Sequence, residues 1–227
     1  MASAFFKRRE QRTDSTLVTY LVLGLGNPGP EYADTPHNAG FIAADVLAEQ
    51  LGCRYWKSQG GAQVCVAELE VPVQRATVPE GEEPTPAPAS TKVRVVIAKP
   101  LDFMNRSGAA ATNLSKKYGV KPDRVIVIHD DLDLPRGDVR CKQGGGHAGH
   151  NGLRSIHDRL GTDGYLRVRV GIGRPPGKMD PAKYVLAPWR KEALEDLRIA
   201  SATSADATMH IIRHGIAAAM NLYNRAG

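Results

Sequence analysis

The sequence lacks the long apolar segments of a membrane protein and the leader of a secreted one. Hydrophobic residues make up 42% of the 227 positions, and no apolar run approaches the roughly 18 residues that a membrane-spanning helix needs. Residues 1–16 contain four basic side chains but no apolar core of a secretory signal. Because Glu10 and Asp14 interrupt this segment and serine is not abundant, we interpret it as a disordered basic leader on a cytoplasmic protein rather than an organellar transit segment.

Cysteine is scarce as well. The three cysteines stand at positions 53, 65 and 141, and none of them has the C-x-x-C spacing of a zinc or redox site. Such an odd and sparse set argues against a disulfide framework and favours a reducing compartment. The sequence therefore predicts a cytoplasmic protein without a structural metal ion.

Nucleotide-binding signatures are absent or incomplete. No G-x-x-x-x-G-K-[ST] sequence is present, which excludes a P-loop. Residues 24–29 match the G-x-G-x-x-G spacing of dinucleotide-binding folds, but that arrangement requires a helix that begins at once. Here Pro28 and Pro30 remove two backbone donors, and helical periodicity begins only near Asn38. We therefore predict no cofactor.

What the chain does carry is a basic excess. Its 30 lysines and arginines outnumber its 24 aspartates and glutamates, giving a formal charge of +6 and a pI near 9.3. This excess suits a polyanionic partner such as nucleic acid, although a slightly basic enzyme of another kind is equally compatible with it. The position of the basic side chains has to decide between the two.

Hydrophobic patterning alternates between strands and helices. The predicted strands cover 17–24, 62–71, 92–99, 124–129, 138–142 and 165–172, and the predicted helices cover 38–52, 109–118, 153–160 and most of 188–224. No repeat or linker separates two cores. This order predicts a single α/β domain over 17–227, with a mixed, largely parallel twisted sheet flanked by helices and a helical C-terminal tail.

Residues 75–91 differ from the rest of the chain in composition. Four prolines and three glutamates lie in this segment, with almost no side chain to bury. We interpret it as a mobile Pro/Glu-rich hairpin insertion between two strands of the catalytic domain.

Polar side chains follow several predicted strands at the points where those strands end. Asn27 and His37 follow the first strand, and Asn105 follows the strand that precedes the second helix. Asp130 ends a later strand, and Asn151 lies in a glycine-rich loop just before a helix. Because ligands bind beyond the carboxyl ends of strands in α/β sheets, we expect these five side chains to converge on one edge of the sheet.

His37 is the candidate general base. Imidazole has an ordinary pKa of about 6.5, and a carboxylate on its second nitrogen, for which Asp130 is the candidate, would stabilise the imidazolium. A lone loop histidine is more often structural, and an asparagine in a loop can simply cap a turn or a helix. Three asparagines in three separate loops favour function, since amides can hold peptide units and polarise a carbonyl.

Two further histidines, His147 and His150, flank Gly149. No third ligand at a convincing spacing accompanies them, so we interpret them as backbone-orienting or core residues and not as metal ligands. No serine or cysteine has an obvious base beside it, so a covalent nucleophile is not indicated. The sequence thus predicts attack by a water molecule that His37 deprotonates.

Six segments together resemble one known family. In chain order they are GLGNPGPEY, TPHNAG, FMNRSG, HDDLDLPRG, KQGGGHAGHNGL and GIGRP. Over residues 19–190 the chain is similar to bacterial-type peptidyl-tRNA hydrolases, and the helical tail fits as well. The resemblance implies a metal-free, monomeric, cytoplasmic α/β enzyme that cleaves the ester between a peptide and the 3′ end of tRNA.

The resemblance also implies roles for individual residues. His37 would be the catalytic base and Asp130 the carboxylate that orients it. The substrate-binding residues would be Asn27, Tyr32, Met104, Asn105 and Asn151, and the residues that bind the tRNA phosphate would be Lys142 and Arg169.

The sequence departs from the family pattern at two positions near the predicted site. Pro36 stands where an arginine often precedes the histidine, and Asp131 stands where glutamate is common. Neither change removes a predicted catalytic residue. The alternative function is a catalytically silent RNA-binding protein of the same fold, similar to some organellar splicing factors, but the complete catalytic set favours the hydrolase.

Overall fold

The computed structural model describes residues 17–72 and 90–224, and these form one seven-stranded sheet with helices on both faces. The strands are β1 (Val18–Gly24), β2 (Lys57–Gln59), β3 (Ala62–Pro72), β4 (Ser90–Pro100), β5 (Val125–Asp131), β6 (Val139–Gln143) and β7 (Leu166–Gly171). Their order across the sheet is β2-β3-β4-β1-β5-β7-β6. The predicted mixed α/β architecture is confirmed.

Parallel pairing is confined to the middle of the sheet. β1 pairs in parallel with β4 and with β5, and β5 pairs in parallel with β7, whereas β2–β3, β3–β4 and β6–β7 are antiparallel. Leu21, Val22 and Leu23 of β1 are fully buried, as expected for a strand that is covered on both faces. The largely parallel sheet that the sequence predicts is therefore found at its centre and not at its edges.

The sheet separates the interior into two apolar cores, and helices cover each of them. The helices are α1 (Ala39–Gln50), α2 (Ser107–Tyr118), α3 (Asn151–Leu160), α4 (Pro181–Leu186) and α5 (Glu192–Tyr223). Successive side chains of a strand point to opposite faces, so Val22 packs in the core with α1 and α5. Leu21 and Leu23 pack in the second core with α2 and α3.

Two glycines let α1 begin directly against the sheet. A Cβ atom at Gly24 would lie 2.1 Å from the backbone oxygen of Gly40, and one at Gly40 would lie 2.3 Å from the backbone oxygen of Ile128. Only glycine allows such a close approach of backbone to backbone. The N–H of Leu25 also donates to Ile128 O over 2.9 Å. These contacts hold the start of α1 over the ends of β1 and β5.

Several elements differ from the sequence prediction. The sequence does not predict β2 or α4, because elements of three and six residues are too short to show a periodicity. The helix of the C-terminal tail begins at residue 192, and Gly215, with a φ of 81°, interrupts it.

The prediction drawn from the cysteines is wrong in one respect. Cys53, just after α1, and Cys65, in β3, form a disulfide bond with a sequence separation of 12 residues. The pairing depends on β3 passing beside the end of α1, which the cysteine spacing does not reveal. Cys141 is a free, buried thiol, and burial raises its pKa to about 12.

Two predictions fall outside the residues that the structure describes. These are the basic leader at 1–16 and the insertion at 75–91, of which only Ser90 and Thr91 are described, at the start of β4. Within the described residues, no helix is both long and apolar enough to cross a membrane.

The side chain of Asn224 makes two hydrogen bonds with the backbone of the edge strand β6. Its Nδ2 donates to the backbone oxygen of Cys141 over 2.8 Å, and the backbone N–H of Cys141 donates to Asn224 Oδ1 over 2.8 Å. Cys141 lies in β6, which has β7 on its other side and is an edge strand. The amide therefore pairs with β6 as a neighbouring strand would.

We predict that Asn224→Ala lowers the free energy of unfolding by about 1–3 kcal/mol, because it leaves two backbone groups of β6 without their partners. Chemical denaturation of both proteins would measure this. Leu222→Ala, which shortens a side chain that is 50% exposed, is the control and should cost far less. Equal losses in the two variants would contradict this role for Asn224.

Candidate active site

A cleft of about 760 Å³ opens beyond the carboxyl ends of the central strands. All nine residues that the sequence predicts for the site line this cleft. They are Asn27, Tyr32, His37, Met104, Asn105, Asp130, Lys142, Asn151 and Arg169. Loops that follow β1, β4 and β5 thus bring together side chains that are far apart in the sequence.

His37 and Asp130 form a direct hydrogen bond at the centre of the cleft. His37 lies in the single turn Pro36–Asn38 that precedes α1, and it is 9% exposed. Its Nδ1 donates to Asp130 Oδ1 over 2.9 Å. In the neutral imidazole the proton is then on Nδ1, so Nε2 is free to accept a proton from a ligand.

The carboxylate of Asp130 sets the protonation of His37. Burial lowers the pKa of His37, but the charge of Asp130 and its hydrogen bond raise it by more, so that the pKa lies above its ordinary value. Burial raises the pKa of Asp130, while His37 and His150 together hold that pKa far below its usual range. Asp130 is therefore ionised wherever His37 titrates.

His150 is a second donor to the same carboxylate oxygen, and the sequence does not predict this role. Its Nε2 lies 3.0 Å from Asp130 Oδ1. Its Nδ1 accepts hydrogen bonds from the backbone N–H groups of Gly152, over 3.1 Å, and Leu153, over 3.3 Å. Because Nδ1 accepts, the proton must be on Nε2, and His150 donates it to Asp130. His150 thereby caps α3 and orients Asp130 at once.

The same three side chains have the spacing of a potential metal site. Among the described residues, only His37, Asp130 and His150 form a group of three potential ligands, with their ligand atoms within 4.8 Å of one another. Coordination through Nε2 would require a proton on Nδ1 of His150, where two backbone N–H groups already point. The cluster therefore suits proton sharing better than metal coordination.

His129, the residue before Asp130 in β5, contacts the backbone of Asp130. Its Nδ1 donates to the backbone oxygen of Asp130 over 2.7 Å, and its ring centroid lies 5.0 Å from that of His150. Burial lowers the pKa of His129 to about 3, with a smaller contribution from the nearby His150, so this imidazole remains neutral. Its Nε2 is buried and has no hydrogen-bond partner among the described residues. His129 thus acts as a packing residue with one polar contact.

Asn27 connects two loops of the cleft. Its Oδ1 accepts from the backbone N–H of Met104 over 2.8 Å, so its amide NH₂ is the group left for a ligand. Asn38 holds the backbone of Asn27 on both sides, because Asn38 Oδ1 accepts from Asn27 N over 2.8 Å and Asn38 Nδ2 donates to Asn27 O over 3.0 Å. The sequence does not indicate this role of Asn38, although the residue directly follows His37.

The other predicted substrate-binding residues form the rim of the cleft. Asn105 is exposed in the turn after β4, and Asn151 is the first residue of α3, where its Oδ1 accepts from Arg154 over 2.9 Å. The capping role that sequence alone allows for Asn151 belongs instead to His150. Tyr32 meets Phe103 edge to face at 6.3 Å between ring centroids.

Lys142 and Arg169 lie in the same cleft, toward the β6 edge of the sheet. Lys142 is exposed in β6. Arg169 in β7 is already paired, since its Nε donates to Asp131 Oδ2 over 2.8 Å. Burial raises the pKa of Asp131, but the bond from Arg169 and other donors lower it by more, so this carboxylate is ionised. The two cations are therefore not equivalent, and Lys142 is the one without a carboxylate partner among the described residues.

This geometry can deprotonate a water molecule. The unprotonated Nε2 of His37 can take a proton from water, and the ionised Asp130 stabilises the imidazolium that forms. Asparagine amides beside it can donate to a carbonyl oxygen as negative charge develops. The exposed ammonium of Lys142 can bind a phosphate. The arrangement is that of a hydrolytic site with an anion-binding extension.

Comparison with known proteins agrees over nearly the whole chain. A family model described as peptidyl-tRNA hydrolase matches residues 21–227. The chain is 46% identical over 204 residues to the peptidyl-tRNA hydrolase of Rhodococcus opacus (strain B4), covering 89% of this chain and 96% of that protein. It is 44% identical over 205 residues to that of Streptomyces coelicolor, covering 90% and 94%.

Solved structures agree as well. The crystal structure of peptidyl-tRNA hydrolase from Acinetobacter baumannii superposes with a TM-score of 0.72 at 32% sequence identity, covering 91% of this chain and 94% of that one.

We predict that Asp130→Asn moves the pKa of His37 from above 6.5 to below it. The charge that favours the imidazolium would be lost, while the burial that disfavours it would remain. NMR titration of the histidine rings would measure the shift, with His210 on α5 as the internal control. An unchanged pKa of His37 would show that Asp130 does not control its protonation.

Proposed function

The chain belongs to the peptidyl-tRNA hydrolase family, and from this membership we propose that it cleaves the ester bond between peptide and tRNA in peptidyl-tRNA. The reaction would recycle tRNA from stalled or prematurely released translation products. The observation that carries the proposal is the hydrogen bond from His37 to a buried, ionised Asp130 at the centre of the cleft. The alternative of a silent RNA-binding protein lacks support, because the whole predicted catalytic set lines one cleft.

His37 would act first as a base and then as an acid. A water molecule near Nε2 loses a proton to the imidazole while its oxygen bonds to the ester carbonyl carbon. The tetrahedral intermediate then collapses, and the bond from the carbonyl carbon to the ribose 3′-oxygen breaks. The imidazolium returns its proton to that oxygen, so that a peptide carboxyl group and a free tRNA leave.

Asn27 is the candidate donor to the substrate carbonyl. Its amide oxygen is occupied by the N–H of Met104, which orients its NH₂ group as the available donor. Asn105 and Asn151 lie on the rim, where amides can bind the main chain of the peptide. Main-chain recognition would accept peptides of any sequence, which a recycling enzyme requires.

The tRNA would be held through its phosphates. Double-stranded RNA hides its base edges in a deep, narrow groove, so recognition of tRNA relies on shape and backbone charge. Lys142 and Arg169 line the same cleft as His37 and supply that charge. Because Arg169 is paired with Asp131, we assign most of the phosphate attraction to Lys142.

The proposed mechanism requires one copy of the chain and no added group. All nine predicted site residues line one cleft of one chain, so the site is complete without a partner, and we propose a monomer as the active form. Imidazole and carboxylate supply the proton transfers, so we propose catalysis without a metal ion or cofactor. Because the substrate arises in translation, we propose a cytoplasmic location.

We predict that His37→Ala reduces the release of tRNA from peptidyl-tRNA by about 10²–10⁴-fold, the usual contribution of a general base. The assay uses purified protein and an aminoacyl-tRNA as the substrate that the wild type should spare. His210→Ala on α5 is the matched control and should retain wild-type turnover. Circular dichroism would verify that both variants are folded, and normal turnover by folded His37→Ala would reject the base assignment.

We predict that Lys142→Ala weakens tRNA binding and lowers the slope of log K against log salt concentration by about one unit. Cleavage of a short ester without tRNA should change little. Lys57→Ala, at the opposite edge of the sheet, is the control for general loss of charge. A salt slope identical to that of the wild type would remove Lys142 from the tRNA interface.

A further inference from the structure

Strands β6 and β7 place four cations opposite one another in two pairs. In the antiparallel register Arg140 faces Arg169, and Lys142 faces Arg167. Directly opposed residues share a face of the sheet and their Cβ atoms are about 5 Å apart, so like charges at such positions repel. Two such pairs on one face, with the Cys141–Val168 row between them, are an arrangement that folding alone disfavours.

Carboxylates compensate only one of the two pairs. Arg169 is paired with Asp131 over 2.8 Å, and Arg140 lies 3.5 Å from Asp138. In the described parts of the chain, no carboxylate lies within ion-pair distance of Lys142 or Arg167. The Lys142–Arg167 pair thus has no directly bonded carboxylate, and Asp163 acts on Arg167 only from a distance.

Arg167 is the buried member of that pair, with 3% of its surface exposed. Its Nη1 donates to the backbone oxygen of Gly146 over 2.8 Å, and its Nη2 donates to the backbone oxygen of Gly145. Nη2 also lies 3.1 Å from Nε2 of His157. Its Nε has no partner among the described residues. Burying a cation on neutral acceptors is costly, and these contacts leave the charge of Arg167 without a directly paired carboxylate.

The loop that Arg167 holds is the loop against which Lys142 rests. A Cβ atom on Gly145, whose φ is 92°, would lie 2.7 Å from Nζ of Lys142. The ammonium therefore lies directly on the backbone of Gly145, while the guanidinium binds the same residue from inside the protein. Any movement of this loop would displace the ammonium of Lys142.

We propose that Arg167 is a positioning residue of the tRNA-binding site. It fixes the backbone of Gly145 and Gly146 from inside and, through its charge, keeps the Lys142 ammonium outside, directed at a phosphate. Arg167 itself does not touch the tRNA. The inference rests on the proposed function and deepens it, because it explains how an otherwise flexible lysine is prepared for an anion.

A double-mutant cycle with Lys142→Ala and Arg167→Met tests the proposal. KM and kcat for peptidyl-tRNA are measured at several salt concentrations. If Arg167 acts through Lys142, each single variant should raise KM by about tenfold, with kcat within about twofold of the wild type. The double variant should then be no worse than Lys142→Ala alone. Fully additive increases in KM would overturn the proposal, and so would a fall in kcat with KM unchanged.

Two further variants separate positioning from loss of stability. Val168→Ala shortens the next side chain on β7, which is fully buried in the other core, and should lower stability while leaving KM unchanged. Arg167→Lys keeps the charge but cannot bind both carbonyl groups, so its KM should lie between those of the wild type and Arg167→Met. If Arg167→Met does not fold, Arg167→Lys takes its place in the cycle.

The outcomes also separate this inference from the proposed function. A wild-type protein that does not cleave peptidyl-tRNA would reject the proposed function. A wild-type protein that cleaves it, combined with additive effects of Lys142 and Arg167, would reject the positioning role alone. A rise in KM for Val168→Ala as large as that for Arg167→Met would likewise reject it.

Discussion

One buried oxygen atom, Oδ1 of Asp130, accepts hydrogen bonds from the imidazoles of His37 and His150, and these bonds orient both rings. The hydrogen bond to Asp130 places the proton of neutral His37 on Nδ1, which leaves Nε2 unprotonated, and the same oxygen accepts a second hydrogen bond from Nε2 of His150. An unpaired buried carboxylate would cost several kcal/mol, so both donors stabilise the ionised form that the proposed mechanism uses. His129 stays neutral beside them and adds packing without a competing charge.

The fold serves this contact by bringing three strand ends to one place. β5 carries Asp130, and the loop after β1 carries His37 to the start of α1. The contact between Gly24 and Gly40 lets α1 begin directly over the sheet, so that the imidazole reaches the carboxylate. A side chain at either glycine would separate the two residues, although neither glycine takes part in the chemistry. The site therefore depends on a close approach of two backbones.

The sequence predicts which residues line the cleft better than it predicts the hydrogen bonds between them. Strand ends and loop asparagines are visible in the chain, and the resemblance implies the pairing of His37 with Asp130. The second bond of Asp130 is not visible, because it depends on His150 capping α3 and donating through its other nitrogen. β2 is not predicted because a strand of three residues shows no periodicity. The disulfide is not predicted because Cys53 meets Cys65 only through tertiary packing.

The bond between Asn224 and β6 has a practical consequence for handling the protein. An edge strand with free N–H and C=O groups is a template on which another chain can add a strand. Here a single amide near the C-terminus occupies that template. A truncation before Asn224, or a fusion partner that displaces it, would expose the backbone groups of Cys141 beside Lys142, the proposed tRNA-binding residue. Purification tags are therefore better placed at the N-terminus.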